Sequence, residues 1–504
     1  MQRRTLLKLA AAAVASPWIG SAIAAATSRY TRGAWASELG EPLISWPLIP
    51  VHAVLLNTGQ LLTYGTGTSS NPTTPTGMFL YDLWDHERGH LTLQNKTGTD
   101  VFCGSQIILP WSGGKVLLAG GDNFEDGHIT NIGNNDSNIF DPSNNSLTPS
   151  DWNRNSNKNM FLPRWYATPT TLYDGRIYLQ GGDGGESYPE IRALDGTYRL
   201  LTSASTSSLS WYYPRQHAAP DGRIFGYAQL AMYYFDPRTE RITGAGWLPS
   251  SGPSNVTDTD AMYAPGKILR CGGGPDWAAT NAAMIIDING PSPTYQNTAP
   301  MPLPLHWANA TVLANGTVAV TGGSKVKNTL TGVNRHALIW RPQTQTWTPG
   351  AWTSSGKARL YHSIAILLPD ASLLVGGGGA GDQAPQENTN AEIYYPAYLF
   401  NADGSFAPRP IITSSPAQLP YGQDFEVRVA NASPVSRVTL IKTGSVTHSF
   451  NFEQRFMQLS FTTKSPGVLN VRGPANWMVA TPGTYLMFVF NSSGKPSVAK
   501  IVQL

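Results

Sequence analysis

The 504-residue sequence predicts an all-β protein: a seven-bladed β-propeller of the kelch type followed by an immunoglobulin-like (early-set) β-sandwich. The composition has 50 glycines, 38 prolines, 10% aromatic residues and only 13% charged residues, which is typical of many short strands joined by tight turns. An ordinary apolar content of 41% excludes a disordered chain. A glycine-rich repeat runs through most of the chain, and a different strand pattern follows it.

The repeated unit is an apolar strand, a turn, a second apolar strand and then a glycine pair. Five clear copies and two weaker ones end at Gly120-Gly121, Gly181-Gly182, Gly272-Gly273, Gly322-Gly323 and Gly376-Gly377, and at Gly65 and Gly226. A period near ~50 residues is typical of kelch propellers, whose twisted four-stranded units bury both faces only by stacking around an axis. Seven units predict seven blades over residues 27–405.

After Gly379 the repeat stops. Short stretches of alternating apolar residues follow, for example at 425–429, and residues 485–490 form a continuous apolar run. Several short strands over this length predict a β-sandwich at residues 406–504.

Residues 1–26 are interpreted as an export signal. Arg3 and Arg4 precede an apolar run at 9–15, and small residues follow, in a pattern that resembles a twin-arginine signal, with an ordinary secretory signal as the alternative. No later stretch reaches the ~18 apolar residues of a membrane span. We therefore expect a secreted or periplasmic protein.

The charge balance excludes two classes of partner. Removing Arg3, Arg4 and Lys8 lowers Lys+Arg from 35 to 32, which equals the 32 acidic residues. Such a neutral chain has no basic field for nucleic acid or an anionic membrane surface.

The repeat also predicts which polar residues meet. Tyr166 and Tyr361 each lie 15 residues before the first glycine of their pair, His362 lies 14 before and Cys103 17 before. In a kelch blade this strand is the innermost, so the four residues are expected at one mouth of the central channel. His448 lies between two apolar strands of the last domain, in a loop long enough to reach that mouth.

Two phenols and two imidazoles suit Cu(II) better than zinc or magnesium. A thioether bond from the Cys103 sulfur to a ring carbon of Tyr166 would lower the oxidation potential of that phenol.

Four short motifs carry a family resemblance: Val-Phe-Cys-Gly at 101–104, Arg-Trp-Tyr-Ala-Thr at 164–168, Tyr-His-Ser at 361–363 and Thr-His-Ser at 447–449. In this order on a kelch scaffold, they are similar to the copper-radical oxidases, the family that includes galactose oxidase and glyoxal oxidase. The resemblance covers nearly the whole mature chain. The Arg-Trp-Tyr form looks closer to the glyoxal oxidase branch.

The resemblance implies one copper ion bound by Tyr166, Tyr361, His362 and His448. It also implies that Tyr166 is a radical tyrosine linked to Cys103, that Tyr361 is the base, and that Trp165 shields the radical.

The implied reaction converts a small aldehyde, as its hydrate, or a primary alcohol such as a glycan hydroxyl, with O2 to H2O2. The tryptophan that galactose oxidase carries after its radical tyrosine is not visible at 181–190, which puts galactose in doubt as substrate. We expect a monomer.

Several alternatives stay open at this point. The alternatives to a thioether-forming Cys103 are an inert buried thiol and a disulfide with Cys271, and Arg164 either orients substrate or holds a loop. The other histidines are interpreted as structural or surface residues, with His306 a candidate for the channel lining: His52, His86, His90, His128, His217, His306 and His336.

The rival functions are a non-catalytic kelch module that binds carbohydrate or protein, and a glycosidase. A glycosidase requires a carboxylate pair at the axis. Asp122, Asp183 and Glu186 follow glycine pairs without forming one in the sequence pattern.

Overall fold

The computed structural model describes residues 28–68, 76–125, 128–379, 385–430 and 434–504. Within these ranges, seven antiparallel sheets follow one another along the chain, and two further four-stranded sheets form the C-terminal unit. The predicted propeller and sandwich are confirmed. The predicted signal at 1–26 lies outside the described residues.

Each blade is built from consecutive strands, with the innermost strand first. Blades 1 to 3 consist of Ile49–Leu55, Leu61–Thr66, Leu80–Asp85 and Gly89–Gln94; Ser105–Ile108, Val116–Ala119, Ser137–Asp141 and Ser146–Pro149; and Trp165–Thr171, Ile177–Asp183, Glu190–Arg192 and Tyr198–Leu200. Blades 4 to 6 consist of Arg215–Ala218, Ile224–Ala228, Ala231–Asp236 and Arg241–Trp247; Asp258–Ala264, Lys267–Gly272, Ala283–Asp287 and Thr294–Asn297; and Asn309–Val312, Val318–Thr321, His336–Arg341 and Thr346–Trp352.

Blade 7 closes the ring with strands from both ends of the propeller. It consists of Ser363–Leu367, Leu373–Gly377 and Asn390–Tyr395, against which the early strands Ala34–Trp35 and Ile44–Ser45 pair. This pairing covers an edge that would otherwise be exposed. An additional hairpin of Asp122–Glu125 and His128–Gly133 extends from blade 2.

The C-terminal sandwich has one sheet of Ile411–Ser414, Asp424–Ala430, Val468–Arg472 and Phe461–Ser465, and a second of Phe456–Leu459, Val435–Lys442, Thr484–Asn491 and Lys500–Gln503. Its core is formed by inward-facing residues of both sheets, including Val427, Leu440 and Met487, all buried. The predicted boundary after residue 405 falls between Tyr395 and Ile411.

In the described ranges, helical structure is limited to residues 28–32, the α-helical turn Thr76–Phe79 and the 3₁₀ turns Ala36–Leu39 and Ala397–Leu399. None of the helices in the described ranges has the length and apolar character needed to cross a bilayer.

The glycine pairs hold neighbouring blades together. Gly120 has φ +68°, and a Cβ there would lie 2.1 Å from the Arg164 carbonyl oxygen, while the next amide, Gly121 N–H, donates to that same oxygen at 3.1 Å. Blades 6 and 7 repeat this contact between Gly322-Gly323 and Arg359. Only glycine fits this approach, so each pair fixes the segment that leads into the next innermost strand.

The sandwich sends one hairpin into the propeller. Ser445–Thr447 pairs with the innermost strand of blade 1, opposing Thr447 to His52, and Phe450–Asn451 forms the returning strand. A six-stranded sheet therefore spans both units.

Candidate metal centre

Tyr166, Tyr361 and His362 lie in the segments that the glycine pairs fix. Tyr166 and Tyr361 each follow by two residues the carbonyl held by a glycine pair, at Arg164 and Arg359. Cys103, Tyr166 and His362 all adopt left-handed backbone angles, with φ of 55°, 70° and 66°. This conformation costs of order 1–3 kcal/mol for a residue with a side chain, and it clusters at functional sites.

His448 occupies the tip of the sandwich hairpin. Thr447 and Phe450 pair, which leaves His448 and Ser449 as a two-residue turn with φ of 48° and 62°. Positive φ at both positions is the type I′ pattern, normally supplied by Asn-Gly. The Thr259 hydroxyl of blade 5 donates to the Ser449 carbonyl at 2.9 Å, which holds the tip in the channel.

The structure brings the five predicted polar residues together. The Cys103 Sγ lies 3.7 Å from His448 Nε2 and 3.9 Å from His362 Nε2, and these ligand atoms all lie within 4.8 Å of one another. The Tyr166 and Tyr361 hydroxyl oxygens are 3.1 Å apart.

Hydrogen bonds fix both imidazoles as the same tautomer. His362 Nδ1 lies 2.9 Å from the Gly379 carbonyl, which only accepts, so Nδ1 carries the proton. The Thr447 hydroxyl donates to the Val51 carbonyl at 3.1 Å and therefore accepts from His448 Nδ1 at 2.6 Å. Each ring consequently presents an unprotonated Nε2 to the centre, as metal-binding histidines do.

Burial favours the neutral forms of Cys103, Tyr166 and His448. It raises the pKa values of the Cys103 thiol and the Tyr166 phenol well above their usual ranges. The neighbouring Cys103 raises the pKa of Tyr166 further, whereas a hydrogen bond with Tyr166 partly lowers that of Cys103. Burial also lowers the pKa of His448 well below its usual range, and the neighbouring His362 and His52 lower it further. A cation in this buried site would lower the pKa values of the thiol and the phenol and would keep the His448 imidazole neutral.

Aromatic rings surround Tyr166. Trp165 lies 4.3 Å from it between ring centroids but is tilted by 37°. Tyr212 is stacked on Tyr166 at 4.6 Å and 29°, and its hydroxyl donates to that of Tyr361 at 3.3 Å. Sequence reasoning missed Tyr212, and the role predicted for Trp165 stays a prediction.

Trp307 was also missed, although a signal for it exists. Its ring lies 4.6 Å from that of Tyr361, and it precedes Gly322 by 15 residues, the separation used for Tyr166 and Tyr361.

Two open alternatives are resolved. Arg164 is fully buried, and its guanidinium contacts Glu190 Oε1 and the carbonyls of Gly181, Gly185 and Tyr188, so it holds a loop. Cys103 and Cys271 are both buried free thiols rather than a disulfide.

Comparison with known proteins places this fold and centre in a family. The family model described as "Glyoxal oxidase N-terminus" matches residues 80–399, and that described as "Galactose oxidase-like, Early set domain" matches residues 409–504. The chain belongs to the glyoxal oxidase family. The predicted membership of the copper-radical oxidases is confirmed.

Individual relatives of this glyoxal oxidase family member are also named oxidases. A "Galactose oxidase" of Gibberella zeae is 27% identical over 92% of this chain and 70% of its own, and an "Aldehyde oxidase GLOX" of Vitis pseudoreticulata is 27% identical over 70% and 74%. A solved structure of a fungal alcohol oxidase of the AA5 family, in complex with copper, superposes with a TM-score of 0.81 at 24% identity, covering 94% of this chain and 99% of that one.

Proposed function

We propose that this oxidase binds one copper ion through Tyr166, Tyr361, His362 and His448, and that Cys103 forms a thioether bond to Tyr166. The proposal rests mainly on one observation: two imidazoles with unprotonated Nε2 atoms converge with two hydrogen-bonded phenols and a thiol. Imidazole nitrogen and phenol oxygen are a donor set that fits Cu(II). When bound, the copper ion supplies a cationic site for a substrate oxygen and one-electron chemistry with O2.

Tyr361 is the proposed general base. Its hydroxyl hydrogen-bonds to both Tyr166 and Tyr212, and its ring is half-buried, so it faces both the centre and the solvent side. A base must reach the proton that it removes, and the Tyr361 oxygen is the phenol best placed to do so. Tyr166, 6% exposed, is the proposed radical residue, kept from water by its neighbours.

Tyr212 and Trp165 are the proposed shield of Tyr166. Both rings lie within 5 Å of the Tyr166 ring centroid, and Tyr212 is closer to parallel. Trp211 is a third ring, stacked at 6.0 Å. Together they form a partly exposed aromatic rim at the mouth of the centre.

The proposed substrate is a small aldehyde in its hydrated form or a primary alcohol, including a glycan primary hydroxyl, with O2 reduced to H2O2. The aromatic rim favours a small or flat molecule that presents C–H groups to ring faces. A panel of such compounds, scored by peroxide release, tests this specificity.

We further propose that the mature chain acts outside the cytoplasm as a monomer, after removal of residues 1–26. Amino-terminal sequencing of the exported protein, with Arg3→Lys and Arg4→Lys variants, tests the export route. Size-exclusion chromatography with light scattering tests the oligomeric state.

The decisive experiment loads the mature chain with Cu(II) in air and measures intact mass under reducing conditions together with the visible spectrum. We expect a mass lower by two hydrogens and intense, broad visible absorption after oxidation. Cys103→Ser should abolish both. Cys271→Ser is the matched control, because that thiol is equally buried but lies in blade 5, outside the centre, and it should change neither.

An unmodified mass with weak copper binding would refute the proposal. A kelch module that binds carbohydrate or protein without chemistry would then be the better account.

A further inference from the structure

A buried histidine of blade 1 holds the backbone of Cys103. The Cys103 N–H donates to His52 Nε2 at 3.2 Å, although the two residues belong to different blades. His52 lies in the middle of the innermost strand Ile49–Leu55 and is fully buried. The sequence alone indicated only a structural or surface residue here.

The hydrogen bonds around His52 allow a single arrangement of protons. Nε2 accepts from Cys103, so Nδ1 carries the proton and donates to Gln106 Oε1 at 2.9 Å. That oxygen also accepts from the Tyr64 hydroxyl at 2.8 Å, while Gln106 Nε2 donates to the Val446 carbonyl at 3.1 Å. Burial lowers the pKa of His52 to about 3, in agreement with a neutral ring.

Gln106 therefore links two parts of the centre. Its amide orients His52, which holds Cys103, and it also holds the strand Ser445–Thr447 that leads to His448. The Gln106 side chain is fully buried, and both of its polar atoms have partners.

The other side of the Cys103 backbone is held as well. Its carbonyl accepts the Tyr166 N–H at 3.0 Å and the Tyr213 hydroxyl at 3.1 Å. With both peptide groups fixed and φ at 55°, Cys103 has little freedom to direct its side chain elsewhere.

We propose that His52, oriented by Gln106, is a positioning residue for the formation of the thioether bond between Cys103 and Tyr166. This inference rests on the proposed function. In that reaction the Cys103 S–H and one ring C–H of Tyr166 break and a C–S bond forms. The two electrons and two protons released reduce one O2 to H2O2. His52 exchanges no proton in this step, and its part is to hold the Cys103 amide so that the thiol faces the ring.

The test measures cross-link formation directly. Protein prepared without copper is reduced and mixed with Cu(II) in air, and the loss of two hydrogens is followed by intact mass under reducing conditions. His52→Leu leaves the Cys103 N–H buried without an acceptor, and we expect cross-linking roughly tenfold slower or more. His52→Gln places an amide oxygen near the position of Nε2 and should restore the rate to within about threefold of wild type.

His217→Leu is the matched control. His217 is another buried histidine of an innermost strand, bonded to Asp260 rather than to the centre. The His217→Leu substitution should destabilise the fold without slowing the cross-linking of the molecules that are folded. If His52→Leu does not fold, Gln106→Met removes the acceptor of His52 Nδ1 and should slow cross-linking about threefold.

The outcomes separate the two proposals. A wild-type chain that forms no cross-link overturns the proposed function. Normal cross-linking in the wild type and equally in His52→Leu or Gln106→Met overturns the positioning role alone. Equal slowing by His217→Leu also overturns it, since the effect would then follow general destabilisation.

Discussion

A buried ion pair attaches the segment that follows His448 to blade 3, and its removal has a calculable pH dependence. Glu453 Oε2 lies 2.7 Å from Lys442 Nζ, with both side chains at most 7% exposed, and the carboxylate accepts both the N–H and the hydroxyl of Thr171. Glu453→Gln keeps an acceptor for Thr171 and removes the charge. Lys442 is then left in the interior without its carboxylate partner.

The magnitude follows from the lysine. Burial lowers the pKa of Lys442 from 10.5 to about 8, even with Glu453 beside it, which corresponds to a cost of about 3 kcal/mol in the native protein. Because Glu453 raises the pKa of Lys442, its removal lowers that pKa further, and we expect folding to deprotonate the amine at a cost of about 5 kcal/mol at pH 7. We therefore expect Glu453→Gln to lose about 1–2 kcal/mol at pH 7, about 3 kcal/mol at pH 6 and little at pH 8.

The direction of this dependence is fixed by proton binding. In the variant, the unfolded lysine is protonated and the folded one is not, so stability rises with pH. Urea unfolding at pH 6, 7 and 8 measures the difference from wild type. Glu240→Gln, which removes an exposed pair with Arg199, is the control and should change stability by less than about 1 kcal/mol. A loss that does not vary with pH would refute the assignment to Lys442.

Three further predictions concern the centre and its support. Tyr212→Phe keeps the ring over Tyr166 but removes the hydrogen bond to Tyr361, so peroxide release should fall about tenfold while the radical absorption persists. Tyr212→Ala also removes the ring and should shorten the lifetime of the radical absorption. Gly120→Ala places Cβ against the Arg164 carbonyl and should lower the free energy of unfolding by about 3 kcal/mol or more, measured by thermal unfolding. The control is Gly113→Ala, where φ is also positive but the space around Cβ is open, and the loss should be about 1–2 kcal/mol. Burial and Asp122 raise the pKa of Asp100 to about 7, so the native protein loses stability as the pH rises from 3.8 to that value. Asp100→Asn should therefore stabilise the protein by up to about 4 kcal/mol at pH 8 and not at pH 4, as measured by chemical unfolding.

The repeat explains why so much of the centre was predictable. Because every unit repeats the same strand pattern, the distance back from its glycine pair gives the position of a residue on the innermost strand of that unit. Tyr166, Tyr361, His362 and Cys103 were placed by that rule.

The residues that were missed show where the rule ends. Blade 4 has the single Gly226 in place of a pair, so the spacing was not applied to Tyr212. His52 lies in mid-strand, where burial and hydrogen bonding across blades give no local pattern. The position of His448 followed from a resemblance, because the sandwich lies outside the repeat.

The sandwich hairpin supplies His448, a proposed ligand that lies outside the repeat. The residues that the blades contribute to the centre lie near the starts of three innermost strands, which begin at Ser105, Trp165 and Ser363. His448 comes from another part of the chain, the C-terminal sandwich. Residues 445–451 carry it to the centre by adding two strands to blade 1, which pairs the hairpin backbone before its tip turns. The same strand of blade 1 carries His52, so the element that receives the His448 hairpin also fixes Cys103. Docking of the sandwich and ordering of the thiol are therefore coupled through one strand, and a change that loosens either should loosen both.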